Sequence, residues 1–267
     1  MNVFREPSFA WEPLTPRGVA AFARASFGRL FIVQSLFALL AAAAVVWCLA
    51  AAVYPVIDAA VSQLPDAGSV HGGKLDWRDD SPMLLAEGRI LAISVDLQHS
   101  GALRSPADFQ IEFGRDDICI YSILGTAYLD YPSGYIIAAN RDDARPAWGA
   151  WGPNLLGLIA LGTFWGLLFG WAILATIFCL PVWLLGFFAN RDLNFAASWK
   201  LAGAALLPGA ALVIIGLVMY GLGGFDLVQF GFAFAMHLVI GWIYLFVSPL
   251  FLNRILPAEP KNPFGEK

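Results

Sequence analysis

The sequence predicts an α-helical integral membrane protein with four transmembrane helices and one small extracytoplasmic β-rich (α+β) domain. Of its 267 residues, 59% are hydrophobic and 13% are charged, whereas ordinary soluble domains carry about 25% charged residues. Four long apolar stretches each reach the roughly 20 residues that a helix needs to cross a bilayer. The polar section 57–150 separates the first stretch from the second, and its alternating residues are typical of short strands.

Charge is unevenly distributed along the chain. Residues 57–150 contain 14 Asp and Glu against seven Lys and Arg, whereas the rest contains six acids against nine bases. An acidic domain gives no reason to expect nucleic acid as a partner. Cys48 and Cys179 lie in apolar stretches and only Cys119 lies in the polar section. No disulfide can therefore form within that section, and the spacing excludes a CxxC motif.

Residues 1–29 are predicted to form a cytoplasmic lead that contains an amphipathic helix. Thr15-Pro16 is a typical helix start, because Thr can cap a helix and Pro fits its first turn. The apolar positions that follow share one helical face: Val19, Phe22, Ala23, Ser26, Phe27 and Leu30. Two interpretations fit equally well, a helix lying on the membrane surface or a charged extension of the first transmembrane helix.

The first transmembrane helix is predicted at 30–56, with a helical continuation to Leu64. A cleaved signal peptide is disfavoured because the apolar stretch begins late and runs long, although the Ala-rich end at 50–52 keeps cleavage as an alternative.

In the domain at 57–150, Gly72-Gly73 and Glu87-Gly88 each lie between strand-like runs and predict hairpins. Phe109, Ile111 and Phe113 alternate with polar residues. We expect five to seven short strands in one antiparallel sheet, covered by the continued first helix.

The second transmembrane helix is predicted at 151–189. Its 35-residue apolar core would be about 52 Å long as one helix. One long tilted helix, bent at Pro181, is preferred over two spans, which would need a very tight hairpin. The predicted chain continues with a cytoplasmic loop at 190–200. The third and fourth transmembrane helices are predicted at 201–222 and 227–252, and a cytoplasmic tail follows at 253–267.

Orientation follows from the short segments, because long translocated domains carry little weight in the positive-inside rule. Four Arg in the lead, Arg191 and Lys200 in the loop, and Arg254, Lys261 and Lys267 in the tail all fall on one side when there are four spans. The 221–226 turn has no Lys or Arg. This predicts a multi-pass protein of the cell (inner, cytoplasmic) membrane with both termini cytoplasmic and residues 57–150 extracytoplasmic.

Two features inside the helices are candidates for function. Gly162, Gly166 and Gly170 are spaced four apart and would give one helix face a smooth groove for helix packing. Packing within this four-helix bundle is preferred over assembly with another subunit. His237 is an ionisable residue well inside a predicted span, which marks it as an intramembrane polar candidate. A neutral His bonded to a neighbouring helix is preferred over a proton relay, because no span supplies a carboxylate near mid-depth.

No catalytic residue, cofactor site or metal site is predicted. The acidic pairs Asp79-Asp80, Asp116-Asp117 and Asp142-Asp143 could in principle bind Ca²⁺, but Asp is common at turns and none has EF-hand spacing. His71 and His99 have no ligand-like spacing with each other. No nucleotide-binding, hydrolase or metalloprotease motif appears.

The sequence resembles a bacterial family of multi-pass membrane proteins, domain-of-unknown-function family 1189, some members of which are labelled maltodextrin utilisation protein. The resemblance lies in the opening residues 4–40, in "LPDAGSVHGGKLDW" (64–77), "ILAISVDL" (90–97) and "FGRDDICIY" (113–121). The segment "DLNFAASWKLAGAALLP" (192–208) also resembles Yip1-type membrane proteins. The resemblance implies an amphipathic lead, a first span and an external section, and it supplies no catalytic residues.

The expected function is that of a non-enzymatic membrane accessory, scaffold or sensor protein whose external domain contacts a partner or ligand. The alternative is a small transporter or channel subunit. It would have to be oligomeric, because four helices with few polar residues offer little pore lining. An enzyme ranks last. The expected partners are the lipid bilayer and a membrane protein or further copies of the chain, with no nucleic acid and no cofactor.

Overall fold

The computed structural model describes residues 11–255, so parts of the predicted lead and tail, including Arg5, Lys261 and Lys267, lie outside the described residues. The described helices are α1 (Pro16–Ala21), α2 (Phe27–Cys48), α3 (Tyr54–Ser62), α4 (Arg141–Phe188), α5 (Phe195–Ala205), α6 (Leu207–Gly221) and α7 (Leu227–Val247). A π turn joins α2 to α3, and short 3₁₀ turns follow α1 and α7.

Four helical segments of the described chain are long and apolar enough to cross a membrane: Phe27–Ser62, Arg141–Phe188, Phe195–Gly221 and Leu227–Phe251. The second of them is one continuous helix of 48 residues, which confirms the single-helix interpretation. It begins ten residues earlier than the sequence predicted. Asp143 lies in its first turn, where the backbone N–H of that residue donates to Asn140 Oδ1 at 2.9 Å.

The chain divides into two compact units. The helical unit comprises described residues 11–41, 163–216 and 228–255, and the β unit comprises residues 42–162 and 217–227. The core of the helical unit contains Val19, Phe22 and Leu30 from the N-terminal part, packed with buried residues of α4, α5 and α6.

The N-terminal part of the helical unit corrects the prediction of an amphipathic surface helix. Thr15 caps α1 as expected, accepting from Gly18 N at 3.0 Å. The helix then ends after six residues, and Ala25 is extended before α2 begins. Four residues of the predicted apolar face, Val19, Phe22, Ala23 and Leu30, are buried, whereas Ser26 and Phe27 are exposed. Because other helices of the unit cover Val19 and Phe22, this part of the face is not free to lie in a bilayer surface. The extended Ala25 separates α1 from α2.

Basic residues from the lead, the 190–200 loop and the chain after α7 lie close together in the helical unit. Arg24 pairs with Asp192 at 3.6 Å, and Lys200 Nζ donates to Ala25 O at 2.6 Å. Arg191 donates from Nη1 to Leu252 O at 2.6 Å and forms a β-bridge with Arg254. Segments that are distant in sequence therefore share one polar region.

The β unit contains eight strands: β1 (Gly68–His71), β2 (Lys74–Trp77), β3 (Met83–Glu87), β4 (Leu91–Val95), β5 (Phe109–Phe113), β6 (Asp117–Ser122), β7 (Gly125–Asp130) and β8 (Ile137–Ala138). They form two sheets, of order β2-β1-β8 and β3-β4-β5-β6-β7. The β1–β2 and β3–β4 hairpins were predicted correctly. The prediction of one antiparallel sheet was wrong, because there are two sheets and β4 pairs with β5 in parallel, Leu91 facing Phe109.

Helix α3 covers one face of the larger sheet, as the sequence predicted. Val56 and Ala60 of α3 share a buried cluster with Leu91, Ile93 and Val95 of β4. The same unit includes the start of α4, where Gly152 O accepts a hydrogen bond from the Tyr54 hydroxyl at 2.8 Å. Apolar burial therefore fixes the first face of this sheet.

Candidate functional site

The candidate site lies on the second face of the five-stranded sheet. Phe109, Ile111 and Phe113, the alternating apolar residues of β5, pack against the apolar cluster of the β unit. The intervening polar residues are buried even more completely, since Gln110 is 3% exposed and Glu112 is fully inaccessible. Polar side chains at such burial require hydrogen-bond partners.

Residues 96–108, which we call the crossover segment, supply several of these partners. Gln110 Nε2 donates to Ser94 Oγ and to Leu103 O, both at 3.0 Å. The Ser105 backbone N–H donates to Gln110 Oε1 at 3.1 Å. The amide of Gln110 thereby holds the middle of the crossover segment against the sheet.

His99 occupies the centre of the site and binds two carboxylates. Its Nδ1 lies 2.6 Å from Glu112 Oε1 on β5, and its Nε2 lies 2.6 Å from Asp117 Oδ1 on β6. The Tyr121 hydroxyl donates to Glu112 Oε1 at 3.1 Å. We call these four side chains the His99 cluster. The Oε2 atom of Glu112 is buried without a hydrogen-bond partner among the described residues.

The backbone is shaped to bring His99 into this position. His99 itself has a φ of 49°, in the left-handed region that non-glycine residues rarely adopt. A Cβ on Gly114 would lie 2.1 Å from His99 Nε2, so only glycine leaves room for the ring. The start of the segment is held by Asp96, which is 2% exposed and accepts from Ser100 Oγ at 2.7 Å.

The electrostatics of the His99 cluster favour a protonated imidazole. Burial lowers the pKa of His99, but the hydrogen bonds and charges of Glu112 and Asp117 outweigh burial and raise it above the ordinary 6.5. Burial raises the pKa of Tyr121 to about 12, which keeps its hydroxyl protonated. Asp96 also stays ionised, because hydrogen bonds from Ser100 and its neighbours outweigh burial and lower its pKa.

This arrangement is suited to holding a proton between the His99 ring and two carboxylates. Both ring nitrogens of His99 are engaged by carboxylates, so neither is free to take a proton from a substrate. Ser100 is bonded to Asp96 and not to His99, and no nucleophile–base pair results. Within residues 11–255, no group of three or more His, Cys, Asp or Glu could hold a metal ion.

A second polar cluster lies at the end of the crossover segment. The Tyr220 hydroxyl donates to Asp108 Oδ2 at 2.6 Å, and the Arg89 guanidinium lies 3.9 Å from the same carboxylate and 4.8 Å from the centre of the Tyr220 ring. Arg89 also donates to the carbonyl oxygens of Tyr220 and Phe225. We call Arg89, Asp108 and Tyr220 the junction cluster, because it ties the sheet to the last turn of α6 and to the α6–α7 turn.

The predicted helix-packing glycines have open space where a side chain would begin. A Cβ built at Gly162, Gly166 or Gly170 would meet no atom within 4 Å. The described residues therefore place no second helix of this chain against that face, although packing within the bundle was preferred. Assembly with another subunit stays a prediction.

The other intramembrane candidate, His237, lies on α7 and packs against α6. The two helices are so close at this point that a Cβ on Gly209 of α6 would be 2.5 Å from His237 O. Its Nδ1 is hydrogen-bonded to Phe234 O of its own helix, and not to a neighbouring helix as predicted.

Gln34 is a buried polar residue that was not predicted as a candidate. Its Nε2 donates to Gly203 O at 3.3 Å.

The roles of His99, Glu112 and the junction cluster were not predicted from the sequence. Of the acidic pairs, Asp116 binds Lys74 at 2.9 Å and Asp117 binds His99, so a turn explained only part of their role. A usable signal was Glu112 itself, since a carboxylate between the alternating apolar residues of a strand needs hydrogen-bond donors if that strand is covered on both faces.

Comparisons of the chain with protein-family models, curated proteins and solved structures found no match. The resemblance to domain-of-unknown-function family 1189 therefore stays a prediction from the sequence.

Proposed function

We propose that this chain is a non-enzymatic, multi-pass protein of the cell membrane, an accessory, scaffold or sensor subunit whose β unit works outside the cytoplasm. The observation that carries the proposal is the junction cluster. In it, Asp108 beside the sheet is hydrogen-bonded to Tyr220 in the last turn of the helical segment Phe195–Gly221, which is long and apolar enough to cross a membrane. A ligand or partner that moves the sheet would act on that helix end through Asp108 and Tyr220.

The distribution of charge supports the proposed orientation. Arg24, Arg191 and Lys200 lie in one polar region of the helical unit, and cytoplasmic loops carry an excess of Lys and Arg. Residues 57–150 are net acidic. Both termini are then cytoplasmic, and residues 57–150 are extracytoplasmic.

Cysteine labelling of intact cells tests this orientation. The native thiols of Cys48, Cys119 and Cys179 are buried, so they give a low background. We expect a membrane-impermeant maleimide to label Ser133→Cys in intact cells, and Asn253→Cys only after permeabilisation, since both positions are exposed. The reverse pattern would overturn the orientation.

Strand β7 supports a role in contacting a partner. It is an edge of the larger sheet, and all six of its residues are exposed. Leu124, at the tip of the β6–β7 hairpin, is 85% exposed. Edge strands with few charges are prone to pair with other chains, and exposed apolar residues at such an edge favour contact with protein.

The test is site-specific photocrosslinking in the native membrane, followed by affinity purification and mass spectrometry. A photoreactive residue at Leu124 is expected to capture a defined product in stoichiometric yield. The matched control is Arg78, which has a side chain 67% exposed and lies outside the edge strand. A chain that is recovered alone from both positions, and that moves a solute unaided in liposomes, would favour the transporter alternative.

A further inference from the structure

We propose that the His99 cluster is a proton-operated clamp on the crossover segment. It holds the segment on the sheet while the imidazole carries a proton. When that proton is lost, the first part of the segment is released. The clamp depends only on the geometry of the β unit. It therefore stands or falls separately from the membrane role proposed above.

The two short contacts of His99 require a proton that a neutral imidazole cannot supply. Ionised carboxylates only accept hydrogen bonds, and a neutral imidazole has a single N–H. Glu112 and Asp117 each lie 2.6 Å from a different ring nitrogen, so both contacts are satisfied only when the three groups together hold one extra proton. Without it, a nitrogen lone pair faces a carboxylate oxygen at hydrogen-bond distance, and the contact becomes repulsive.

Side chains from three strands face His99. Glu112 faces it from β5, Asp117 from β6, and the Tyr128 ring meets it edge-on from β7, with ring centres 6.4 Å apart. Three further polar groups surround these carboxylates: Tyr121, which bonds Glu112, Cys119, which is buried on β6, and Arg104, which lies 3.9 Å from the centre of the Tyr121 ring. Asp96 is bonded within the crossover segment and does not face the ring.

The sign of the pH dependence follows from the raised pKa of His99. A group whose pKa is higher in the folded state than in the unfolded state stabilises the folded state. This stabilisation is complete below the unfolded pKa, which is about 6.5 for His. This contribution is lost as pH rises through the folded pKa. The clamp is therefore closed in mildly acidic solution and opens on the alkaline side of 6.5.

Opening affects the crossover segment unequally. Gln110 holds its middle and Asp108 holds its end in the junction cluster, and neither attachment involves His99. The residues between Asp96 and Leu103 depend most on the clamp. They are expected to become mobile while the sheet stays intact.

The experiment uses the full-length protein in lipid nanodiscs with ¹⁵N-labelled histidine. The chain has three histidines, and His71→Gln and His237→Gln variants assign the other two. We expect the NMR titration midpoint of His99 to lie above 6.5 and to fall toward 6.5 in Asp117→Asn, which keeps the side-chain shape and removes one charge. Hydrogen exchange of residues 97–103, corrected for the intrinsic pH dependence, should accelerate several-fold across the same midpoint.

The controls separate a clamp from a general effect of pH. His71 is exposed, so His71→Gln should keep the exchange step, whereas His99→Gln should abolish it. If His99→Gln fails to fold, the Asp117→Asn variant still decides the question, because the exchange step must move with the His99 midpoint. A His99 midpoint at or below 6.5, or an exchange step that ignores it, would overturn the proposal.

Discussion

Tyr220→Phe should loosen the attachment between the sheet and the end of α6. The substitution removes only the hydroxyl that donates to Asp108 Oδ2 at 2.6 Å and keeps the ring beneath Arg89. A hydrogen bond to a charged group contributes about 1.5–3 kcal/mol. The Asp108 side chain is 18% exposed and keeps Arg89 at 3.9 Å, so we expect the lower end, about 1.5 kcal/mol, or roughly a tenfold change in a local opening equilibrium.

Hydrogen exchange of the full-length protein measures this opening directly. The reporters are the backbone N–H groups of Asp108, which donates to Arg89 O at 3.1 Å, and of Gly223, which donates to Tyr220 O at 3.0 Å. Both should exchange about tenfold faster in Tyr220→Phe. The matched control is Tyr244→Phe, since the Tyr244 hydroxyl donates to Leu14 O at 2.6 Å in the helical unit. A change below twofold at both reporters, or an equal change in the control, would refute the attachment.

Three substitutions and one labelling experiment test other parts of the fold. Gly18→Ala would place a Cβ 1.8 Å from Glu12 O and should destabilise the helical unit by about 1–3 kcal/mol in thermal unfolding. Gly28→Ala, where nothing lies within 4 Å, should be neutral or stabilising by up to about 1 kcal/mol, and equal losses in both variants would contradict the packing argument. Gly166→Leu should change the stability of the isolated chain by less than about 0.5 kcal/mol but weaken any association through that open face, as measured by energy transfer between labelled copies. Cys119, which is fully inaccessible, should react with a maleimide about tenfold or more slowly in the folded protein than in the denatured one, and fast labelling would mean that β6 is not packed as described.

Local signals in the sequence predicted the local structure well. Thr15-Pro16 starts a helix because a side-chain cap and a fixed φ act within one turn. Gly72-Gly73 closes the β1–β2 hairpin with both residues at positive φ, which glycine adopts at little cost. The long apolar stretches became long helical segments because a helix satisfies most of its backbone hydrogen bonds within the segment. Each of these signals is contained in a few adjacent residues.

The face that a segment buries was harder to predict, because it depends on neighbours that are distant in sequence. The face of Val19 and Phe22 suits a membrane surface or a protein core equally well, and the contacts with other helices of the unit decide for the core. Gly162 and Gly166 illustrate the converse. Their spacing suits helix packing, yet no described residue packs on them.

The parallel pairing of β4 and β5 also left a signal in the sequence, in the length of the connection. Parallel neighbours need a crossover of a dozen or more residues, whereas antiparallel neighbours can use a two-residue turn. Residues 96–108 are long enough for such a crossover, but the prediction of one antiparallel sheet did not use this length. In the fold they lie over the second face of the sheet, and β4 becomes buried along its whole length.

The burial of polar residues on this face follows from the same crossover. A strand beside a parallel neighbour is usually covered on both sides and is apolar on both, yet β5 places Gln110 and Glu112 on the covered side. A crossover without regular structure carries free backbone groups and polar side chains, so it needs polar partners on the sheet and supplies partners in return. Gln110 is satisfied by uncharged groups at any pH. Glu112 is a carboxylate and needs a cation, which the crossover provides only while His99 is protonated. The connection that makes the parallel pair possible is therefore also the element whose attachment to the sheet depends on pH.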